Sequence, residues 1–292
     1  MQSYIYLSLF AATAFALANL ATKFSSKHAI ADQPVLLFYY YLTLVPFLLI
    51  IPIFFEVNVP PSSAWPAVWL YGLIFFIGNI FSVLAIYRFD SSTFAAFTQL
   101  RPAFVGLLAF WFLGEQFPLA DYWLLGLMLI GAVLTALDER MQIKNLLRSA
   151  VLLLIGLQLI HALAQLFAGL ALQSMNSFTI LFWGNLVSCI FALLLIPWLG
   201  QRLRIRFVQV RPMLISGFFT VASLALLFTA FQSNLTLSSA ISKLTMPVIV
   251  LTLTFLASLL KPELLEHHPP RVYLVRAFGI SLIMAGALKI IF

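Results

Sequence analysis

The chain has 292 residues, of which 63% are hydrophobic and 9% charged, with a formal net charge of +7 and a mean hydropathy of +1.07. A soluble domain carries about 25% charged residues, so this composition excludes a water-soluble globule. The basic excess lies in loops between apolar runs and no nucleic-acid-binding motif occurs, so the charge orients the chain in a lipid bilayer and does not bind nucleic acid.

Repeated apolar runs near twenty residues long match helices crossing a hydrocarbon core about 30 Å thick. Lipid offers an open backbone no hydrogen-bond partners, so such runs must be helical. In chain order the punctuation predicts ten spans, at 4–23, 34–55, 65–87, 91–113, 119–137, 149–172, 178–199, 211–231, 236–260 and 271–291. The first is read as retained and not as a signal peptide, because Met1-Gln2-Ser3 carries no basic stretch and no small-residue cleavage site follows. The lone Cys189 excludes an internal disulfide.

The two halves are related at an offset of 145 residues. It pairs Pro52 with Pro197, Gly72 with Gly217, Ala85 with Ala230, Ala95 with Ala240 and Pro102 with Pro247. A five-span unit is odd, so its second copy enters the membrane from the opposite side, the inverted repeat of many secondary transporters. The expected fold is all-α, with two inverted five-helix repeats (1–138 and 149–292) around a central cavity, joined by a charged linker at 139–148.

Charge tests this independently. The loops after the odd-numbered spans, together with the span ends that adjoin them on either side, hold thirteen basic residues, including Lys23, Lys27, Arg88, Arg202, Arg204 and Arg206, against Lys289 alone on the other side. The positive-inside rule then puts those loops in the cytoplasm and both termini outside. The expected home is a cell membrane, read as a prokaryotic inner membrane.

Ala85-Ile86-Tyr87, Ser91-Ser92-Thr93-Phe94-Ala95-Ala96, Pro102 and Leu113-Gly114-Glu115 together resemble the repeat signature of the drug/metabolite transporter superfamily, EamA type. The second half keeps Ala230, Ser238-Ser239-Ala240 and Pro247, but has Leu259-Leu260-Lys261-Pro262-Glu263 where Leu-Gly-Glu would stand. The resemblance implies a ten-helix basket that moves metabolites such as amino acids, sugars or nucleotide sugars.

Chemistry is concentrated in few residues. All nine acidic residues lie in loops or at span ends, so no carboxylate sits at mid-membrane. Arg101 and Lys243 are placed inside spans, where each costs about 2.5–3.5 kcal/mol at a helix centre. The functional reading is that both face a cavity and bind an anionic group. Against it stand snorkelling for Lys243 and, for Arg101, bonding to carbonyls freed where Pro102 interrupts the helix ladder. Asn19, Asn79, Gln99, His161, Gln165 and Asn185 are polar residues in apolar spans, and Tyr40 and Trp183 stand at repeat-related lining positions. Interhelical hydrogen bonding is the bland alternative for this set. Pro102 and Pro247 are the expected hinges. His267-His268 with Glu263 and Glu266 fits no tetrahedral metal template, and no metal or cofactor is expected.

There is no nucleotide-binding GxxxxGK[ST] and no GxSxG or HExxH motif, so the chain is read as neither an ATP-driven pump nor an enzyme. The reading is a secondary transporter (exporter, exchanger or facilitator) of a small anionic or zwitterionic metabolite such as an amino acid, working by alternating access. Two alternatives stay open, a channel and an intramembrane enzyme acting on a lipid-linked substrate. The assembly is read as a monomer, with a homodimer left open.

Overall fold

Every regular element among the described residues is helical, as a backbone in hydrocarbon requires. The computed structural model describes residues 3–89, 94, 97–114, 123–124, 126–127, 130–131, 134, 149–260 and 270–291. Most of the expected fifth span, the linker at 139–148 and the His267-His268 stretch lie outside them.

The helices are α1 (Ser3–His28), α2 (Gln33–Phe54), α3 (Trp65–Arg88), α4 (Arg101–Leu113), α5 (Ser149–Leu172), α6 (Ser177–Leu193), α7 (Phe207–Phe231), α8 (Leu235–Leu260) and α9 (Pro270–Ile291). Six stretches of the described chain are long and apolar enough to cross a bilayer: Ser3–His28, Gln33–Phe54, Trp65–Arg88, Leu152–Leu172, Ser177–Leu203 and Phe207–Phe231.

Local chemistry sets the ends. Asp32 caps α2 by accepting from the Val35 amide, and Asn176 caps α6 by accepting from Thr179 N at 2.8 Å. Gly114 ends α4 in the left-handed conformation with φ 68°, which is why a glycine stands between Leu113 and Glu115. The expected seventh span is not one continuous helix. α6 stops at Leu193, and a short helical turn Ile196–Leu199 and a 3-10 turn Gly200–Leu203 follow. Pro197 has no N–H to give the Leu193 carbonyl, so the ladder must break there.

The most extensive packing joins α1 to α7 and α3 to α5, followed by α1–α8, α2–α7, α3–α6, α4–α5, α2–α6 and α4–α8. Small hydroxyl residues stitch these pairs. Ser216 and Ser223 of α7 donate to Ala18 O (3.1 Å) and Ala11 O (2.8 Å) of α1. The two serines and the two alanines are each seven residues apart in opposite order, so the helices run antiparallel. Thr22 and Ser216 share a further bond at 2.7 Å. Such bonds need close backbones, hence Ala and Gly at the contacts.

The glycines related by the 145-residue offset do the same job in each half. Gly72 of α3 sits where a Cβ would come within 2.5 Å of Val187 Cγ1, and its carbonyl accepts from Ser188 Oγ at 2.9 Å. Gly217 of α7 lies against Thr43, whose carbonyl oxygen is 2.5 Å from a Cβ placed there. Thr43 and Ser188 are themselves partners under the same offset. Overpacking of this kind costs about 1–3 kcal/mol. Gly217→Ala meets fixed backbone and should lower the melting temperature in detergent clearly, whereas Ala225→Gly, half-buried on the same helix, should cost only about 1 kcal/mol of helix propensity. Equal shifts for the two would show that the close approach carries no weight.

Candidate functional site

α1, α3, α5, α7 and α8 surround a cavity of about 880 Å³, its mouth included. Both cations flagged in the sequence line it, with Asn19, Tyr40, Asn79, His161 and Gln165. Seven of the ten expected substrate-binding residues, drawn from both halves of the chain, therefore converge on one space.

Arg101 reaches the cavity from the start of α4. Pro102 cannot donate to the Thr98 carbonyl, so the chain tightens into a 3-10 turn at Thr98–Leu100 and the Arg101 N–H serves that oxygen instead. The carbonyl is thus satisfied by the Arg101 backbone, not by its guanidinium. The side chain, only 5% exposed, donates from Nε (3.2 Å) and Nη2 (2.8 Å) to Gln158 Oε1. Its remaining N–H groups have no hydrogen-bond partner among the described residues. Pro247, the expected second hinge, lies within α8, and that helix runs through it without interruption. The two prolines therefore sit in different local structures, one at the first turn of a helix and one inside a helix.

Lys243 lies on α8 and is only 2% exposed, with its ammonium 3.9 Å from the centroid of the Phe15 ring. Its charge is held at depth over an aromatic face, so it does not snorkel. A cation–π contact recovers about 2 kcal/mol when desolvated, against the roughly 2.5–3.5 kcal/mol that insertion costs, and it leaves the charge itself in place. Among the described residues the ion pair Arg202–Asp32 lies elsewhere, between half-exposed side chains, and no Asp or Glu lines the cavity. Two positive charges thus face one space without a protein counter-ion.

The neutral polar groups divide into those already engaged and those free. His161 Nε2 pairs with Ser82 Oγ at 3.0 Å, and Gln165 Oε1 accepts from Ser239 at 2.8 Å. Asn79 donates to Tyr41 Oη (2.9 Å) and to Phe75 O (3.0 Å). Tyr40 and Thr220 pair across α2 and α7. Asn19 Nδ2 is buried without a partner. The uncommitted groups include donors on Arg101, Lys243 and Asn19, and the Tyr71 hydroxyl is likewise buried without a partner. The opposite wall is aromatic. Tyr71 stacks on Phe75 (5.5 Å between centroids) and meets Phe228 edge-on (5.7 Å).

Three expected residues are elsewhere. Trp183 stands near the start of α6, donates to Asn58 O at 2.9 Å and packs on Trp65, so it fastens the α2–α3 loop. Asn185 is fully buried, donates within its own helix to Leu181 O at 2.8 Å and faces Tyr71. Gln99 is buried in the 3-10 turn next to Arg101 and does not line the cavity. Residues that sequence reading left out include Phe15, Tyr71, Phe75 and Thr220. Aromatic side chains are too common in this chain to mark a lining, and Thr220 differs little from the serines that only join helices. No group of three His, Cys, Asp or Glu side chains suited to a metal occurs among the described residues.

A hydrogen bond to a charged group is worth about 1.5–3 kcal/mol. Gln158→Leu should therefore destabilise the protein by about that much, and Arg101→Met with Gln158→Leu by less than the sum of the single changes. Additive losses in chemical denaturation would show that the pair is not coupled.

The family profile described as "EamA-like transporter family" matches residues 2–137. No curated protein sequence matches the chain. A solved structure described only as "Crystal structure of protein" is similar in fold over 98% of this chain and 96% of that one, with a TM-score of 0.67 at 15% identity.

Proposed function

We propose that this chain, whose residues 2–137 match the profile of the EamA-like transporter family, is a secondary transporter that carries a small polar metabolite with an anionic group through the cavity by alternating access. One observation carries this reading: Arg101 and Lys243, from opposite halves, are buried on a single cavity with no carboxylate among its lining residues. An anion arriving there neutralises charge that no described lining carboxylate balances. The cargo enters as a small molecule from water, and the protein needs no cofactor for a carrier cycle.

The finer architecture belongs to the same proposal. Ten spans form two inverted units, 1–138 and 149–292, joined by 139–148. The packing supports this, because its pairs come in mates. If α1, α2, α3 and α4 correspond to α5, α6, α7 and α8, then α1–α7 is the mate of α5–α3, α1–α8 of α5–α4, and α2–α7 of α6–α3. The α2–α6 and α4–α8 contacts are each their own mate, as a two-fold axis requires. The basic loops at the ends of α1, α3 and α6 face the cytoplasm of a prokaryotic inner membrane, and both termini lie on the other side.

Two measurements test these statements. Arg101→Gln should leave a folded, inserted protein that has lost uptake of its cargo into proteoliposomes by at least tenfold. Undiminished uptake of every solute carried by the parent protein would remove the anion site. For topology, a cysteine placed at Arg204 in a Cys189→Ala background should react with an impermeant maleimide only after the inner membrane is opened. Labelling in intact cells would reverse the orientation.

A further inference from the structure

The lining of the cavity discriminates by charge, and it does so in one direction. Both charges on the described lining, the guanidinium of Arg101 and the ammonium of Lys243, are positive, and Nδ2 of Asn19 adds an unpartnered donor. The acceptors beside them are neutral, the unpartnered Tyr71 hydroxyl included, and no Asp or Glu is among the described lining residues. Gln158 Oε1 holds Arg101, and Gln165 Oε1 holds Ser239. An amino acid brings a carboxylate and an ammonium together on one carbon. Its carboxylate would be met by donors, but its ammonium would sit beside two like charges, with only neutral acceptors and no carboxylate among the described lining residues to receive it.

The geometry points to a cargo that is an organic anion without an ammonium group, its acidic head between Arg101 and Lys243 and its apolar body against Tyr71, Phe75 and Phe228. This rests on the transporter reading and narrows it, since it sets aside the amino acids that the sequence alone left eligible. The carrier of such a molecule selects against zwitterions through repulsion, and not only through the fit of the anion. A carboxylate, an oxo acid or a phosphoric ester meets the same donors and shares the chemistry.

Two body-matched sets isolate charge as the variable. One is 3-phenylpropionate, phenylalanine and phenethylamine, and the other is hexanoate, norleucine and hexylamine. Thermal stabilisation of the purified full-length protein should give the anion at least tenfold tighter apparent binding than the zwitterion in at least one set, about 1.4 kcal/mol, and none for the amine. Arg101→Gln and Lys243→Gln should each remove the response to the anion, while Arg101→Lys keeps the ranking with weaker binding. A zwitterion that binds as tightly as its anion, or the absence of stabilisation by either anion, overturns the inference.

Proteoliposome uptake of the same six compounds separates this from the broader reading. Uptake of phenylalanine or norleucine in preference to the anions refutes the charge selection and leaves a transporter. Anion binding in the expected order without passage of any compound keeps the charge selection and refutes transport.

Discussion

The structure depends on the cost of holding positive charge inside an apolar helix bundle. Arg101 and Lys243 are each buried almost completely, and neither has a carboxylate partner among the described residues. What holds them is weaker and more specific. One glutamine carbonyl accepts two guanidinium bonds, and one phenyl face lies under an ammonium. Neither device neutralises the charge it holds, so uncompensated positive charge remains at the centre of the protein. A protein selected for stability alone would place apolar residues at these positions.

The scaffold around that demand is built for close approach. Hydroxyls on one helix reach carbonyls on another, and glycines remove the side chain where backbones would otherwise collide. Lipid gives no hydrophobic drive for two helices to associate, so packing and such bonds must supply it. Both ends of the bundle are tied as well. At one end Lys23 donates to the carbonyls of Ile86 and Phe89, and at the other Asn58 N donates to Thr179. The cavity lies between these ties.

Much of the fold was legible because hydrocarbon leaves so few solutions. Long apolar runs had to be helices, and most observed limits fall within a few residues of the expected spans. The exceptions have local causes. α7 begins at Phe207, four residues ahead of the expected start, because Gln209 Oε1 accepts the Arg206 amide and secures an earlier first turn. The site was partly legible for a related reason: a polar residue in an apolar run stands out. That signal reports residue type, however, and not the direction in which the side chain points. Asn79 and Asn185 look alike in sequence and each returns an amide N–H to its own helix, but only Asn79 also bonds Tyr41 and lines the cavity. The aromatic wall was invisible for the opposite reason, since phenylalanine occurs 29 times in the chain.

The serine-to-carbonyl bonds between α7 and α1 have a consequence for how the protein is made. Ser216 and Ser223 are synthesised about 200 residues after the alanines they meet, with sequence separations of 198 and 212. α1 is therefore made long before its principal neighbour, and until then has only its slighter contacts with α2 and α3. Assembly of the bundle is then a late, post-insertion event. Among the described residues the most extensive packing joins α1 to α7 and α3 to α5, so these early helices gain their main partners only when the later part of the chain is in place.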